Sequence, residues 1–333
     1  MNPRGLLIGI GLVVVCVGPK LCAQPNDTEI KQLSEIRANA EKGDAGAECT
    51  LGGVFDFGKF GVAKNDSEAV KWYRKSAEQN FAFAEYNLGV CYANGKGVAK
   101  NETEAVKWYR RAAEQNFASA QSNLGGCYAN GTGVAKNEVE AVQWYRKAAG
   151  QNFALAQYNL GACFMNGNGV TKDDAEAAIW YSKAAEQNVA PAQFNLGFLY
   201  ATGQGVTKDV AKAVKWWRKA AEQNFAQAQY NLGCCYGSGE GVGKNELEAV
   251  KWWRKAAEQN LVQAQYNLGD YYKNAQGEAK DDVQAYMWFN LAATNGDENA
   301  KKALTQLAAE MSPNQITEGK RLANEWIEQH KNQ

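Results

Sequence analysis

The sequence predicts an all-α protein built from repeated helix-turn-helix units, and three observations carry that expectation. Trp72, Trp108, Trp144, Trp180, Trp216, Trp252 and Trp288 are spaced by 36 residues without a slip. Leu88, Leu124, Leu160, Leu196, Leu232 and Leu268 keep the same period, each followed by Gly. Asn or Asp stands at positions 65, 101, 137, 173, 209, 245 and 281, again in phase. Seven units therefore occupy roughly residues 44–296, the first carrying one extra residue between Leu51 and Val62. A repeat array grows by adding units, so a length of 333 residues does not call for two globular domains.

Each unit divides into two helices. The second starts at the Asn or Asp just named, whose side-chain oxygen can accept from free amides of a first turn. Three residues on stand Glu68, Glu104, Glu140, Glu176, Glu248 or Gln284, which predicts a capping box in every unit except the one with Lys212. Ala105, Tyr109, Ala112 and Ala113 then follow helical spacing, Trp108 widens the apolar stripe and Asn116 is a stop signal. The first helix is expected from Ala82 to Ala93. Ala84, Leu88, Cys91 and Tyr92 form its core face, and Gly89 permits close approach of a neighbour. Gly95 and Gly97 recur as Gly131/Gly133, Gly167/Gly169, Gly203/Gly205 and Gly239/Gly241. They follow a helix and not a strand, so they are turn formers where φ is positive, not a phosphate loop.

The ends read differently. Arg4 gives a basic start, Leu6 to Val17 is an apolar run, and Ala23 is a small residue at a cut, so residues 1–23 are expected to be a signal peptide. The run is too short to span a bilayer comfortably. Val13 to Cys16 lacks the small residue that precedes a lipidated cysteine, and a retained N-terminal anchor is the weaker alternative. The mature chain is then expected in a bacterial periplasm or beyond. Residues 24–43 are expected to form an N-terminal capping helix, because Glu29 to Lys42 aligns with a lone second helix. Residues 297–333 are expected to form C-terminal capping helices. Ala300, Leu304 and Leu307 continue the first-helix phase, and Ser312 to Gln315 opens a last helix that carries Trp326 and ends near Gln329.

The pattern A-x-A-Q-Y-N-L-G-x-x-Y-x-x-G-x-G-V, then K-N/D-x-x-E-A-V-x-W-Y-x-K-A-A-E-Q, resembles the Sel1-like repeat, a relative of the tetratricopeptide repeat. The resemblance implies a right-handed α/α solenoid superhelix with terminal capping helices. It also implies a non-enzymatic adaptor or scaffold that holds a protein or peptide partner.

Several classes of chemistry find little support. Lys+Arg and Asp+Glu are both 36, so no basic excess recommends nucleic acid or an anionic membrane, and no stable membrane insertion is expected after signal removal. His330 is the only histidine, which argues against a His-based triad or a His-rich metal site. No cofactor is expected. Signal removal leaves Cys49, Cys91, Cys127, Cys163, Cys234 and Cys235. Equivalent points in packed repeats lie about 9–10 Å apart, beyond the ~7 Å Cα limit of a bridge. These cysteines therefore read as small core residues, with Leu199 and Tyr271 filling the same slot; Cys234 is the one expected to be accessible. Cysteine-rich members of the resembled family pair a first-helix with a second-helix Cys, and Ala112 and Ala113 leave that partner missing here. Some such relatives bind or hydrolyse β-lactams. That activity and cell-wall glycan binding are the alternatives kept beside the scaffold.

Binding is expected on the first-helix face opposite the core, which lines the concave groove of a tetratricopeptide-like solenoid. Asn87, Asn123, Asn159, Asn195, Asn231 and Asn267 recur there without exception, and an amide can pair with an extended peptide backbone. Tyr86, Tyr158, Phe194, Tyr230 and Tyr266 stand beside them, interrupted by Ser122. The other reading of the Asn row is structural: bonds that hold repeats in register. Rows that vary are better candidates for specificity, namely Val90, Gly126, Ala162, Phe198, Cys234 and Asp270, and Phe83, Ser119, Leu155, Pro191, Gln227 and Gln263. Lys71, Arg74 and Lys75 read as a solvated outer face.

Overall fold

A computed structural model describes residues 26–275 and 280–330. The signal-peptide expectation, Cys16 and Cys22 lie outside those residues. Contacts divide the chain into two compact units, one ending at Trp180 and the other beginning at Tyr181. The first unit contains α1 (Asp27–Glu41), α2 (Ala45–Phe57), α3 (Asp66–Glu78), α4 (Ala82–Asn94), α5 (Glu102–Glu114), α6 (Ala118–Asn130), α7 (Glu138–Gly150), α8 (Ala154–Asn166) and the start of α9 (Asp174–Glu186). The second holds the rest of α9 and then α10 (Ala190–Thr202), α11 (Val210–Glu222), α12 (Ala226–Ser238), α13 (Glu246–Glu258), α14 (Val262–Asn274), α15 (Asp282–Thr294), α16 (Glu298–Glu310) and α17 (Pro313–His330). Among the described residues all regular structure is helical, and helix pairs pack in sequence as a solenoid. Even-numbered helices from α2 to α14 are the first helices of the repeats; odd-numbered ones from α3 to α15 are the second.

The second helices start where the Asn/Asp row places them. Asn101 Oδ1 accepts from Glu104 N at 3.0 Å, and Asn65, Asn137, Asp173, Asp209, Asn245 and Asp281 do the same in their units. Each such cap contributes about 1 kcal/mol. The reciprocal half of the expected capping box is absent. The amide of Asn101 donates instead to Tyr92 O at 2.9 Å, in the preceding helix, and Asn137, Asp173, Asp209 and Asn245 follow suit. Released from the cap, the glutamates take other partners. Glu140 and Glu248 accept from the indoles of Trp144 and Trp252 one turn on, while Glu68 and Glu104 pair with Lys71 and Lys107. A reciprocal box does form at Ser312 and Gln315, as expected for α17.

Helix ends follow backbone chemistry. Asn116 and its equivalents Asn80, Asn152, Asn188, Asn224 and Asn260 all have positive φ just beyond a second helix. Asn tolerates this conformation because its short side chain bonds locally. Gly95 closes α4 at φ 68°, and Gly97 (φ 68°) lies so close to Asp66 O of the preceding repeat that a Cβ would meet it at 2.0 Å. The second glycine of the pair is therefore also an inter-repeat contact.

Within a pair, the first helix brings its Gly against an aromatic ring of the second. A Cβ at Gly89 would meet Tyr109 at 2.7 Å, and one at Gly233 would meet Trp253 at 2.5 Å. Around these contacts Ala84, Leu88 and Cys91 are buried beside Tyr73 and Ala77, whereas Tyr92 is only half-buried. At the C-terminal end α15 packs against both α16 and α17. Trp326 meets Trp288 edge-on at 6.1 Å, and Ala300, Leu307 and Ala323 are buried.

Candidate functional site

Two sets of polar side chains on the first helices have different fates. The residue before the Tyr–Asn–Leu–Gly run is buried in every repeat: Glu48, Glu85, Gln121, Gln157, Gln193, Gln229 and Gln265. Gln229 donates to Ala221 O at 3.2 Å and Asn224 Oδ1 at 3.0 Å, and accepts from Gln259 Nε2 at 2.8 Å. Gln121 and Gln193 make the same set of bonds. This amide chain runs from one repeat to the next and fixes their register. The motif displays this position in every unit, as Glu at 48 and 85 and as Gln thereafter.

The Asn row lies closer to the surface and is partly engaged. Asn87 donates to Cys49 Sγ at 4.0 Å and Asn267 to Cys234 Sγ at 3.6 Å, each reaching the preceding first helix. Asn123 lies beside Tyr86 and Tyr109, with its Oδ1 buried and unpaired. Asn87, Asn123, Asn195, Asn231 and Asn267 are half-buried, but Asn159 is only 7% and its neighbour Tyr158 6% exposed. The row is therefore not one uniform ladder, and positions 158 and 159 have almost no surface to present. The aromatic row packs on rings of its own 36-residue segment. Tyr86 packs on Phe117 at 5.3 Å, Phe194 on Phe225 at 5.3 Å, and Tyr266 on Phe289 at 5.6 Å, while Tyr230 is half-buried. The Phe residues at the helix starts were not singled out from the sequence, although they share its period.

The varying rows are open at some positions and closed at Ala162, which is 6% exposed. Phe83 is 50% exposed, Gln227, Gln263 and Asp270 are exposed, and Val90 and Phe198 are half-buried. Two crevices open between successive first helices. One, of about 250 Å³, lies between α6 and α8 and is lined by Asn130, Ala162 and Asn166 among others. The second, of about 820 Å³, lies between α12 and α14 and includes Cys234, Asn267 and Asp270.

The six described cysteines are free. Burial pushes Cys91 and Cys163 up to about 12, and Cys49, Cys127 and Cys235 up to about 11, so none is a ready thiolate. Cys234 is half-buried and also raised by burial, though hydrogen bonds from Trp253, Tyr230 and Asn267 oppose that shift. Among the described residues no group of His, Cys, Asp or Glu could hold a metal, and no helix is long and apolar enough to cross a membrane.

The outer face departs from the expected solvated surface at one row. Arg74 donates to the Tyr92 hydroxyl at 2.7 Å, and Arg110, Arg218 and Arg254 reach Tyr128, Tyr236 and Tyr272 in the same way. These arginines tie a second helix to the next first helix. Lys71 and Lys75 remain exposed, the latter 4.2 Å from the Trp72 ring centre.

The Sel1 repeat model matches seven consecutive segments, 46–81, 82–117, 118–153, 154–189, 190–225, 226–261 and 262–297. The chain belongs to the Sel1 repeat family. Proteins of this family are generally protein-interaction scaffolds. The chain is similar to c5321, a protective antigen of uropathogenic Escherichia coli displaying an SLR fold. Identity is 32% and the TM-score 0.67, over 90% of this chain and 71% of that one. It is also similar to a Sel1 repeat protein from Oxalobacter formigenes, at 36% identity and TM-score 0.61, covering 69% of this chain and 95% of that one. No match is found among curated proteins. In this Sel1 repeat chain, the constant Leu–Gly pair and Glu/Gln row of the first helices are buried, and positions 83, 227, 263 and 270 of the varying rows are exposed.

Proposed function

We propose that this chain is an exported, non-enzymatic scaffold that binds a protein or peptide along the first-helix face. The observation that carries the reading is the split between rows. On the first helices the constant Leu–Gly pair and the Glu/Gln row are buried, whereas positions 83, 227, 263 and 270 vary and are exposed. A packing surface repeats because its neighbour repeats; a recognition surface differs from unit to unit because its partner does. Half-buried aromatics beside amides supply contact area with polar partners for an extended backbone.

Introducing negative charge on this face tests the idea at exposed positions. A Phe83→Glu/Gln227→Glu/Gln263→Glu variant should keep the wild-type melting curve and lose the partners that wild-type protein recovers from an envelope extract. Undiminished recovery by the folded variant counts against this face. Export rests on the sequence features of residues 1–23. The mass of the protein isolated from its native cell should correspond to a chain beginning at Gln24; an intact Met1 start contradicts cleavage.

A further inference from the structure

The crevice between α12 and α14, against α13, is the three-repeat translate of the one between α6 and α8, against α7. Asn130, Ala162 and Asn166 of the smaller site become Ser238, Asp270 and Asn274 of the larger. The volume rises from about 250 to about 820 Å³. Two replacements change its chemistry.

The first is Asp270. Its row is otherwise uncharged, being Val90, Gly126, Ala162, Phe198 and Cys234 in the earlier repeats. The Asp270 carboxylate is exposed, accepts from Asn274 Nδ2 at 2.8 Å, and has no basic partner among the described residues. Glu246, the other acid of the lining, is paired with Lys244 at 2.9 Å.

The second is Trp253, at the place of the buried Tyr145 three repeats earlier; its ring lines the crevice together with that of Tyr271. An uncompensated carboxylate and a wide crevice lined by two aromatic rings thus coincide at one junction.

We propose that this crevice takes an arginine side chain of an extended peptide lying on the first-helix face. The inference rests on the reading of that face as a binding surface and adds the chemistry of one anchor. A guanidinium matches the site on two counts. It pairs in a fork with the Asp270 carboxylate. Its flat face stacks on aromatic rings. Because no other repeat combines these groups, an anchor here fixes the register of the bound peptide along the array.

The test is a selection of random dodecapeptides against the purified full chain, with calorimetric titration of the enriched sequences. Enriched peptides should share an arginine. Replacing that arginine by glutamine, or making Asp270→Asn in the protein, should each weaken binding by about tenfold or more, and the two together little further. The Asp270→Asn protein is checked by its melting curve, which an exposed isosteric change should leave in place. Peptides that enrich and bind with no shared arginine and no dependence on Asp270 overturn the arginine site, while the face remains a peptide binder. Failure of any peptide to enrich counts against both.

Discussion

Gln229 spends its whole amide inside the protein, two bonds given and one received, and leucine of similar size can make none of them. Gln229→Leu would remove all three bonds at the junction of two repeats, leaving the Ala221 carbonyl with the Asn224 amide and Gln259 with Asn224 Oδ1. A loss of about 1–3 kcal/mol in stability is expected, read by urea unfolding; an unchanged midpoint would show that the amide chain contributes nothing to register. Glu85 occupies the same place with a charge. Burial holds its carboxyl above the usual carboxylate range despite Arg111 at 2.8 Å and a hydrogen bond from Gln115. With a folded-state pKa above the unfolded one, the ionised site costs stability, and the cost is relieved as pH falls through the folded value. Glu85→Gln, which installs the amide of the later repeats, should therefore raise the melting temperature at neutral pH, with the gain shrinking toward acid. Melting curves between about pH 4 and 8 check the sign; a gain that grows on acidification contradicts it.

At the scale of helices, the close approach of each first helix to its second depends on the absent side chain of one glycine. Gly233→Ala places a Cβ 2.5 Å from Trp253, a rigid ring fixed among buried neighbours. Overpacking of this kind costs about 1–3 kcal/mol, more than alanine recovers in helix propensity. Gly243→Ala, where a Cβ meets nothing within 4 Å, is the control and should be near neutral. Equal melting temperatures for the two variants would remove the close-approach argument. Helix starts were legible because an Asn or Asp before an apolar stripe has one efficient use. The reciprocal bond was not, because the sequence does not show that Tyr92 O of the preceding helix reaches the Asn101 amide first. The same blindness to neighbours placed Arg74 on a solvated face, when the Tyr92 hydroxyl lies within its reach.

At the scale of the molecule, period alone made the fold legible: seven in-phase copies of one supersecondary unit leave a solenoid as the way to bury their apolar faces. The candidate site was legible only in part, since recurrence marks packing and binding rows alike. Burial separates them. The recurrent Gln row and Asn159 are committed to the interior, while Phe83, Gln227, Gln263 and Asp270 remain at the surface. The central claim is that a partner lies on the first helices and not on the outer second helices. Site-specific photo-crosslinking in the native cell addresses it directly, with the reactive group placed at Gln227 on the first-helix face or at Leu247, 77% exposed on a second helix. Discrete protein adducts are expected from position 227 and none from 247. Adducts from 247 alone would place the partner on the opposite face and contradict it.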